Sequence, residues 1–350
     1  MNLATFWFIL IAILFTGYFV LEGFDFGVGI LMSLLSRDET DRRVMINTIG
    51  PVWDGNEVWL LAGGGTLFFA FPLLYASAFS GFYLPLMIVL WLLIGRGASI
   101  ELRSHIDNGV WRSFFNGVFF LSSALLAIFF GAALANVIRG VPIGPDNYFF
   151  LPLWTNWRVG PQPGILDWYT VVGGLVALIA LAVHGGLYLA LKATGDLCER
   201  ARRFSQQAWF ALCVITLVSL LATILVRPET LDHYKLHPVS FAIPVLVVLS
   251  LAAMKIFTVR RQELNAFLSS CLYLAIMLVG AAVGLYPTLL PSSTNAAKDI
   301  TVAEAISGPY ATHVGLIWWS FGILLAIGYF CVSYWMFRGK VSPRADGYGH

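Results

Sequence analysis

Apolar residues run through the chain in stretches of about 20, each long enough to cross a bilayer as a helix, separated by polar, charged or proline-rich connections. The pattern predicts nine membrane helices. The first runs from about Ala4 to Leu35. At ~1.5 Å rise per residue it exceeds one untilted span, so its end projects or the helix tilts. A short charged loop, Arg37 to Arg43, follows. The second helix starts near Pro51, where a proline suits a first turn, and ends near Phe71, with Pro72 turning the chain. The third spans about Tyr75 to Ile94 and the fourth about Ser113 to Val137. A long connection from Arg139 to Gly164 carries Pro142, Pro145, Pro152, Pro161 and Pro163. Its Trp154 and Trp157, with Trp168 just beyond, suit a membrane–water interface. The fifth helix covers about Ile165 to Leu191, the sixth Gln206 to Val226, the seventh Val239 to Phe257 and the eighth Leu264 to Tyr286. After a polar connection from Pro287 to Pro309, the ninth covers about Thr312 to Phe337 and leads into a basic tail.

Composition agrees with this reading. Of 350 residues, 59% are hydrophobic and 11% charged, against roughly 25% charged in soluble domains. The N-terminal stretch lacks a basic n-region and a small-x-small cleavage site, so it is expected to stay as the first membrane helix. Cys198, Cys213, Cys271 and Cys331 are widely spaced and spell out neither a disulfide nor a zinc framework. The net charge of +2 does not point to nucleic acid, and no nucleic-acid partner is expected. Its distribution is more informative. Connections alternating from the first hold 16 of the 21 basic residues: Arg37, Arg42 and Arg43; Arg96, Arg103 and Arg112; Lys192, Arg200, Arg202 and Arg203; Lys255, Arg260 and Arg261; and Arg338, Lys340 and Arg344 in the tail. The opposite set holds Arg139, Arg158, Arg227, Lys235 and Lys298. The positive-inside rule then puts the N-terminus outside and the C-terminus in the cytoplasm. An eight-helix count would strand the tail on the wrong side.

Two helices carry acids where acids are expensive. Glu22 and Asp25 lie late in the first helix, and Asp54 and Glu57 at the entrance of the second, each pair at i and i+3 on neighbouring positions of one face. An ionised carboxylate at mid-helix costs about 2.5–3.5 kcal/mol on insertion scales, so such groups pair, hold protons or line a hydrated path. With the N-terminus outside, Asp54 and Glu57 sit near the cytoplasmic entrance, and Glu22 and Asp25 deeper in the same half. That ladder fits a proton relay. The competing reading places the acids at headgroup level or pairs them with Arg96 or Arg103. Gly23, Gly27 and Gly29, and Gly63 to Gly65, read as sites of close helix packing rather than of ligand contact. His184 is the one histidine well inside a helix; a haem between helices needs strong axial ligands, and a lone histidine is weak support for one. His105, His233, His237 and His313 fall at helix ends or in loops. A weak echo links Glu22-Gly23 and the basic run ending at Arg43 with His184-Gly185 and the run ending at Arg203. Two four-helix units and one extra helix would explain it. No Walker loop, nucleophile elbow or zinc motif occurs.

Several runs resemble one family. Gly23 to Gly29 (GFDFGVG), Arg42 to Leu60 (RRVMINTIGPVWDGNEVWL) and the glycines at 63–65 look like the signature of subunit II of cytochrome bd-type quinol oxidases, including their cyanide-insensitive relatives. The likeness continues through 78–85 (AFSGFYLP), 101–107 (ELRSHID), 139–142 (RGVP) and 286–293 (YPTLLPSS), and so over essentially the whole chain.

The resemblance implies an all-α integral membrane protein of about nine transmembrane helices, two four-helix bundles plus one peripheral helix, in one polytopic domain. Its halves would be residues 1–138 and 165–337, joined by a periplasmic connection at 139–164. The complex it implies is a heterodimeric respiratory terminal oxidase of the bacterial cytoplasmic membrane that oxidises quinol and reduces dioxygen to water. The haem-bearing subunit I would carry haems b558, b595 and d and the quinol site, with small accessory membrane subunits as further partners. This chain would bind no haem, hold no catalytic or metal-ligating residue and be inactive alone. It would support assembly and a cytoplasmic proton path through Asp25 and Asp54, with Glu22 where other members have Asp or Glu and Glu57 where some have Gln. A secondary transporter is the alternative, but the two arginine pairs of the echo lie on one side, so its halves are parallel rather than inverted. A haem-carrying cytochrome b-like protein is disfavoured by the histidine count.

Overall fold

A computed structural model describes residues 2–236 and 238–341, apart from the side chains of Asp232, His233 and Leu236. Arg344 of the basic tail and His237 lie outside the described residues, as does the His233 side chain. The helices are α1 (Leu3–Leu35), α2 (Glu39–Ile49), α3 (Trp53–Ala70), α4 (Pro72–Gly81), α5 (Tyr83–Leu102), α6 (Gly109–Arg139), α7 (Trp168–Lys192), α8 (Gly195–Val226), α9 (Glu229–Leu236), α10 (Ala242–Val259), α11 (Glu263–Leu285), α12 (Val302–Ala305) and α13 (Pro309–Met336). Among the described residues, eight helices are long and apolar enough to cross a membrane alone, and α3 with α4 makes a ninth if that bent pair counts as one span.

Three departures from the sequence reading stand out. The charged stretch after α1 is not a loop. The Asp38 side chain accepts from the Asp41 amide and starts α2, which buries Val44, Met45, Ile46 and Ile49 against the ends of α1 and α7. The expected third helix is divided. The chain turns at Phe71 and Pro72 as expected, opening α4 at 119° to α3, but a break at Phe82 then separates α4 from α5. Finally, α5 runs on past Ile94 to Leu102, so Arg96 is an internal helical residue, not part of a connection. Removing Arg96 from the basic tally leaves the asymmetry intact.

On α1 pack α3 and α6, with α5 against α6, while α7 packs with α8 and α11, and α10 lies against α8 and α11; α1 and α6 also meet α7 across the middle. The closest approach is backbone to backbone, because a Cβ on Gly27 would sit 2.2 Å from Leu181 O and 2.6 Å from Gly185 Cα. A side chain at either glycine would force α1 and α7 apart. The tightly packed reading also holds at Gly23 and Gly29, whose added Cβ atoms would press on Leu181 and Ser123. It fails at Gly64 and Gly65, which face open space. Outermost is α13, with Thr312 its single buried residue.

The two ends of the molecule differ. One collects the start of α1, Phe71, the 139–166 connection and the short β1 (Thr288–Leu290) and β2 (Ile300–Thr301) strands into an apolar cluster with Trp7, Phe149 and Leu151. There the buried Arg139 pairs with Asp167, which also caps α7 through the Tyr169 and Thr170 amides at 2.8 and 2.9 Å. Asn136 adds to this lock, donating to Ile165 O at 2.9 Å and accepting from Arg139 at 2.6 Å. At the other end lie α2, the α7–α8 turn and the chain beyond α13, where the Val341 amide donates to Lys192 O at 2.8 Å. Ion pairs bind that end together: Arg103 with Glu39 at 2.7 Å, Arg200 with Asp41 at 2.5 Å and Arg202 with Glu263 at 2.5 Å.

Candidate functional site

The acid-bearing faces of α1 and α3 turn toward one another, and α5 supplies the counter-charge. Glu22, Asp25 and Arg96 are fully buried. Arg96 Nη1 donates to Glu57 Oε2 at 2.8 Å and contacts Glu22 Oε1. The guanidinium lies over the Phe26 ring, 4.8 Å from its centroid, and 5.8 Å from that of Trp53. Aromatic faces suit a desolvated cation, which is how this arginine is held inside an apolar helix packing. A charge buried in this way persists only when paired.

Asn56, between the two acids of α3, closes the other side. Its Nδ2 donates to Asp25 Oδ2 at 2.7 Å and to Leu21 O at 3.2 Å. Its Oδ1 accepts from the Tyr334 hydroxyl of α13 at 2.8 Å. Several buried polar atoms in and around the cluster have no protein partner in hydrogen-bond geometry: both Glu22 oxygens, Asp25 Oδ1, Arg96 Nε and Nη2, the Tyr18 hydroxyl and Trp53 Nε1. Buried polar atoms left so by the protein are the places where internal water binds.

The structure therefore brings together Glu22, Asp25 and Glu57 and leaves Asp54 apart, exposed in the first turn of α3. Of the two arginines weighed as pairing partners, Arg96 pairs with the acids and Arg103 with Glu39 instead. Sequence reasoning did not single out Asn56, Tyr334 or Tyr18. For Asn56 a signal existed, since a side-chain amide in an apolar run needs partners. Tyr334 lies 278 positions further along the chain, and nothing in the sequence near it points to α3.

His184, the candidate haem ligand, has both ring nitrogens engaged. Nε2 lies 3.0 Å from Val20 O and Nδ1 2.7 Å from Ser270 Oγ, and the ring stacks on Phe267 with centroids 4.9 Å apart. Neither nitrogen faces a free coordination position, so this residue does not fit an axial ligand. Among the described residues no three of His, Cys, Asp or Glu converge as a metal site.

Fold and site together define a polytopic all-α membrane protein that gathers ionisable groups in its interior. The family described as cytochrome bd terminal oxidase subunit II matches residues 3–337. Cytochrome bd ubiquinol oxidase subunit 2 of Bacillus subtilis is 34% identical over 339 residues, covering 97% of this chain and 96% of that protein. Cytochrome bd-I ubiquinol oxidase subunit 2 of Escherichia coli K12 is 32% identical over 368 residues, covering 97% and 95%. Among solved structures, a chain of the bd oxidase from Geobacillus thermodenitrificans has a similar fold, with a TM-score of 0.77 at 17% identity over 96% of this chain and 99% of that one. The chain belongs to the cytochrome bd terminal oxidase subunit II family. It is thus a bacterial membrane protein and a subunit of an oxidoreductase, not a transporter. Membership implies a partner subunit I and haems in the complex.

Proposed function

We propose that this chain is the non-haem subunit of a quinol-oxidising, dioxygen-reducing complex, where it supports assembly of a haem-bearing subunit I and carries a proton-uptake path from the cytoplasm. The relatives' names specify ubiquinol oxidase, and in this reading haems b558, b595 and d would sit in the partner and supply the electron transfer and oxygen chemistry. Reduction of dioxygen to water consumes protons as well as electrons. A membrane interior delivers protons only through ionisable groups and water.

The observation that carries this reading is the cluster itself. Two carboxyl groups, Glu22 and Glu57, pair with one guanidinium, a third, Asp25, is held beside them by Asn56, and Glu22 Oε2 and Asp25 Oδ1 have no protein partner in hydrogen-bond geometry. Such a cluster has acids to spare over its counter-charge and free oxygens through which a proton can enter and leave. Asp54 stands at the mouth, with Glu57 three residues on, about 4.5 Å of helical rise deeper. Arg96 joins Glu57 to Glu22, and Asn56 holds Asp25 beside them. The basic end of the molecule, where α2 and the start of α3 lie, is the cytoplasmic end on the positive-inside rule. The N-terminus is then periplasmic, and residues 1–138 and 165–337 form the two halves, joined by the 139–164 connection.

The test is Asp25→Asn and Asp54→Asn in the assembled complex, with haem per complex measured alongside turnover and proton uptake. Slower turnover and uptake at full haem content supports the path. Full assembly with parental turnover in both variants removes it, and loss of haem with normal turnover of the surviving complex assigns the acids a structural role.

A further inference from the structure

The Asp25 carboxyl is anchored to α3 through one oxygen: its Oδ2 accepts from Asn56 Nδ2 at 2.7 Å, with the Glu22 side chain beside it on α1. The link that fixes the carboxyl to a second helix therefore runs through Asn56. That amide is fully buried and fully used: two acceptors, Asp25 Oδ2 and Leu21 O, on its nitrogen, and one donor, the Tyr334 hydroxyl, on its oxygen. The inventory fixes the amide's orientation, because a phenol can donate to Oδ1 whereas the Leu21 carbonyl can only accept.

Tyr334 comes from α13, the least buried of the membrane-length helices among the described residues. Around Tyr334, α13 lies against α3 through aromatic contacts, with Trp59 and Phe330 ring centroids 5.6 Å apart and Phe330 and Tyr334 at 6.2 Å. Among the described residues, Tyr334 donates a side-chain hydrogen bond that carries α13 across to α3. The remaining side-chain hydrogen bonds of α13, from Thr312, His313 and Ser320, return to its own backbone or to Gly308 just before it.

We infer that Tyr334 and Asn56 are positioning residues that orient the Asp25 carboxyl, so that the seating of α13 sets the geometry of the acid cluster. The functional consequence rests on the proton-path reading given above; the geometric claim does not. Without the phenol, Asn56 Oδ1 is buried with no donor, and the amide loses the third of the three bonds that fix its plane. A less restrained amide holds the Asp25 carboxyl less firmly.

The experiment uses the complete complex and the infrared carboxyl or carboxylate stretch of Asp25, identified as the band lost in Asp25→Asn. Tyr334→Phe should shift that band and slow turnover about two- to tenfold, the effect of one hydrogen bond, at unchanged haem content. Asn56→Ala should shift the same band, and the double variant should turn over no more slowly than Asn56→Ala alone, because the phenol acts through the amide. Tyr329→Phe, an exposed tyrosine on the same helix, should leave the band in place. An unmoved band in Tyr334→Phe, or independent and multiplying losses in the double variant, overturns the inference. Should Tyr334→Phe assemble poorly, Asn56→Ala leaves the α13 surface intact and its band decides whether the amide holds Asp25. If Asp25→Asn itself turns over at the parental rate, Asp25 drops out of the proton path, while the band still tests the positioning.

Discussion

Arg96 Nη1 on α5 lies 2.8 Å from Glu57 Oε2 on α3, and the same nitrogen contacts Glu22 on α1. One guanidinium thus ties three helices together at a point where none of the groups is stable alone. Removing one member of a buried ion pair costs about 3–5 kcal/mol, because the others stay buried without compensation.

Arg96→Leu should therefore lower the amount of complex in the membrane and its thermal midpoint. Arg96→Leu combined with Glu22→Leu should recover part of the loss, since the double change removes a charge from each side. Membrane immunoblots and thermal scans of both variants measure this. A parental midpoint in Arg96→Leu would show that the pair contributes nothing to stability.

At the α1–α7 crossing, Gly27→Ala places a methyl group 2.2 Å from Leu181 O and 2.6 Å from Gly185 Cα. Rigid backbone must move, at a cost of about 1–3 kcal/mol or more. Gly64→Ala meets nothing within 4 Å and should raise helix stability by about 0.5–1 kcal/mol. Thermal midpoints of the purified chain in detergent should move in opposite directions. Equal shifts for the two variants would contradict the packing described.

Asp167→Ala removes two things at once, the cap on α7 and the partner of buried Arg139. The cap contributes about 0.5–2 kcal/mol and the orphaned arginine costs more. The 139–166 connection should loosen first, because its Ile165 and Leu166 amides donate to Pro152 O and Leu153 O beside this lock. Hydrogen exchange over 140–166 should accelerate in the variant, while amides of α8 stay protected. Unchanged exchange in the connection would show that the ion pair does not hold it.

Reporter fusions at the C-terminus and within 139–164 should report opposite sides of the membrane, the first cytoplasmic, on the distribution of Lys and Arg. Both reporters on one side would mean that one of α7, α8, α10, α11 and α13 does not cross.

Much of this architecture is local and therefore legible in the sequence. Apolar runs of membrane length give the spans, because an apolar helix is the solution to burying backbone polar groups in lipid. Prolines and charges mark most breaks, and the GFDFGVG and WDGNEVW runs carry the family signature in contiguous residues. The acids were visible for the same reason, since a carboxylate in an apolar run is conspicuous wherever it ends up. What became of them was not. Asp54 and Glu57 stand three residues apart on one helix, yet Asp54 is exposed and Glu57 reaches Arg96. That difference depends on which helix packs against each side of α3. Arg96 read as a loop residue because its partners, Glu22 and Glu57, lie 74 and 39 positions away in the chain, and only their convergence makes a charge tolerable inside α5. Asn56 and Tyr334 meet across 278 positions. Gly27 and Gly64 are the same residue in similar apolar contexts, but one touches a backbone and the other touches nothing. Sequence determined which groups are costly in a membrane; tertiary packing decided which of them found partners, because pairing energy depends on distance in space and not along the chain.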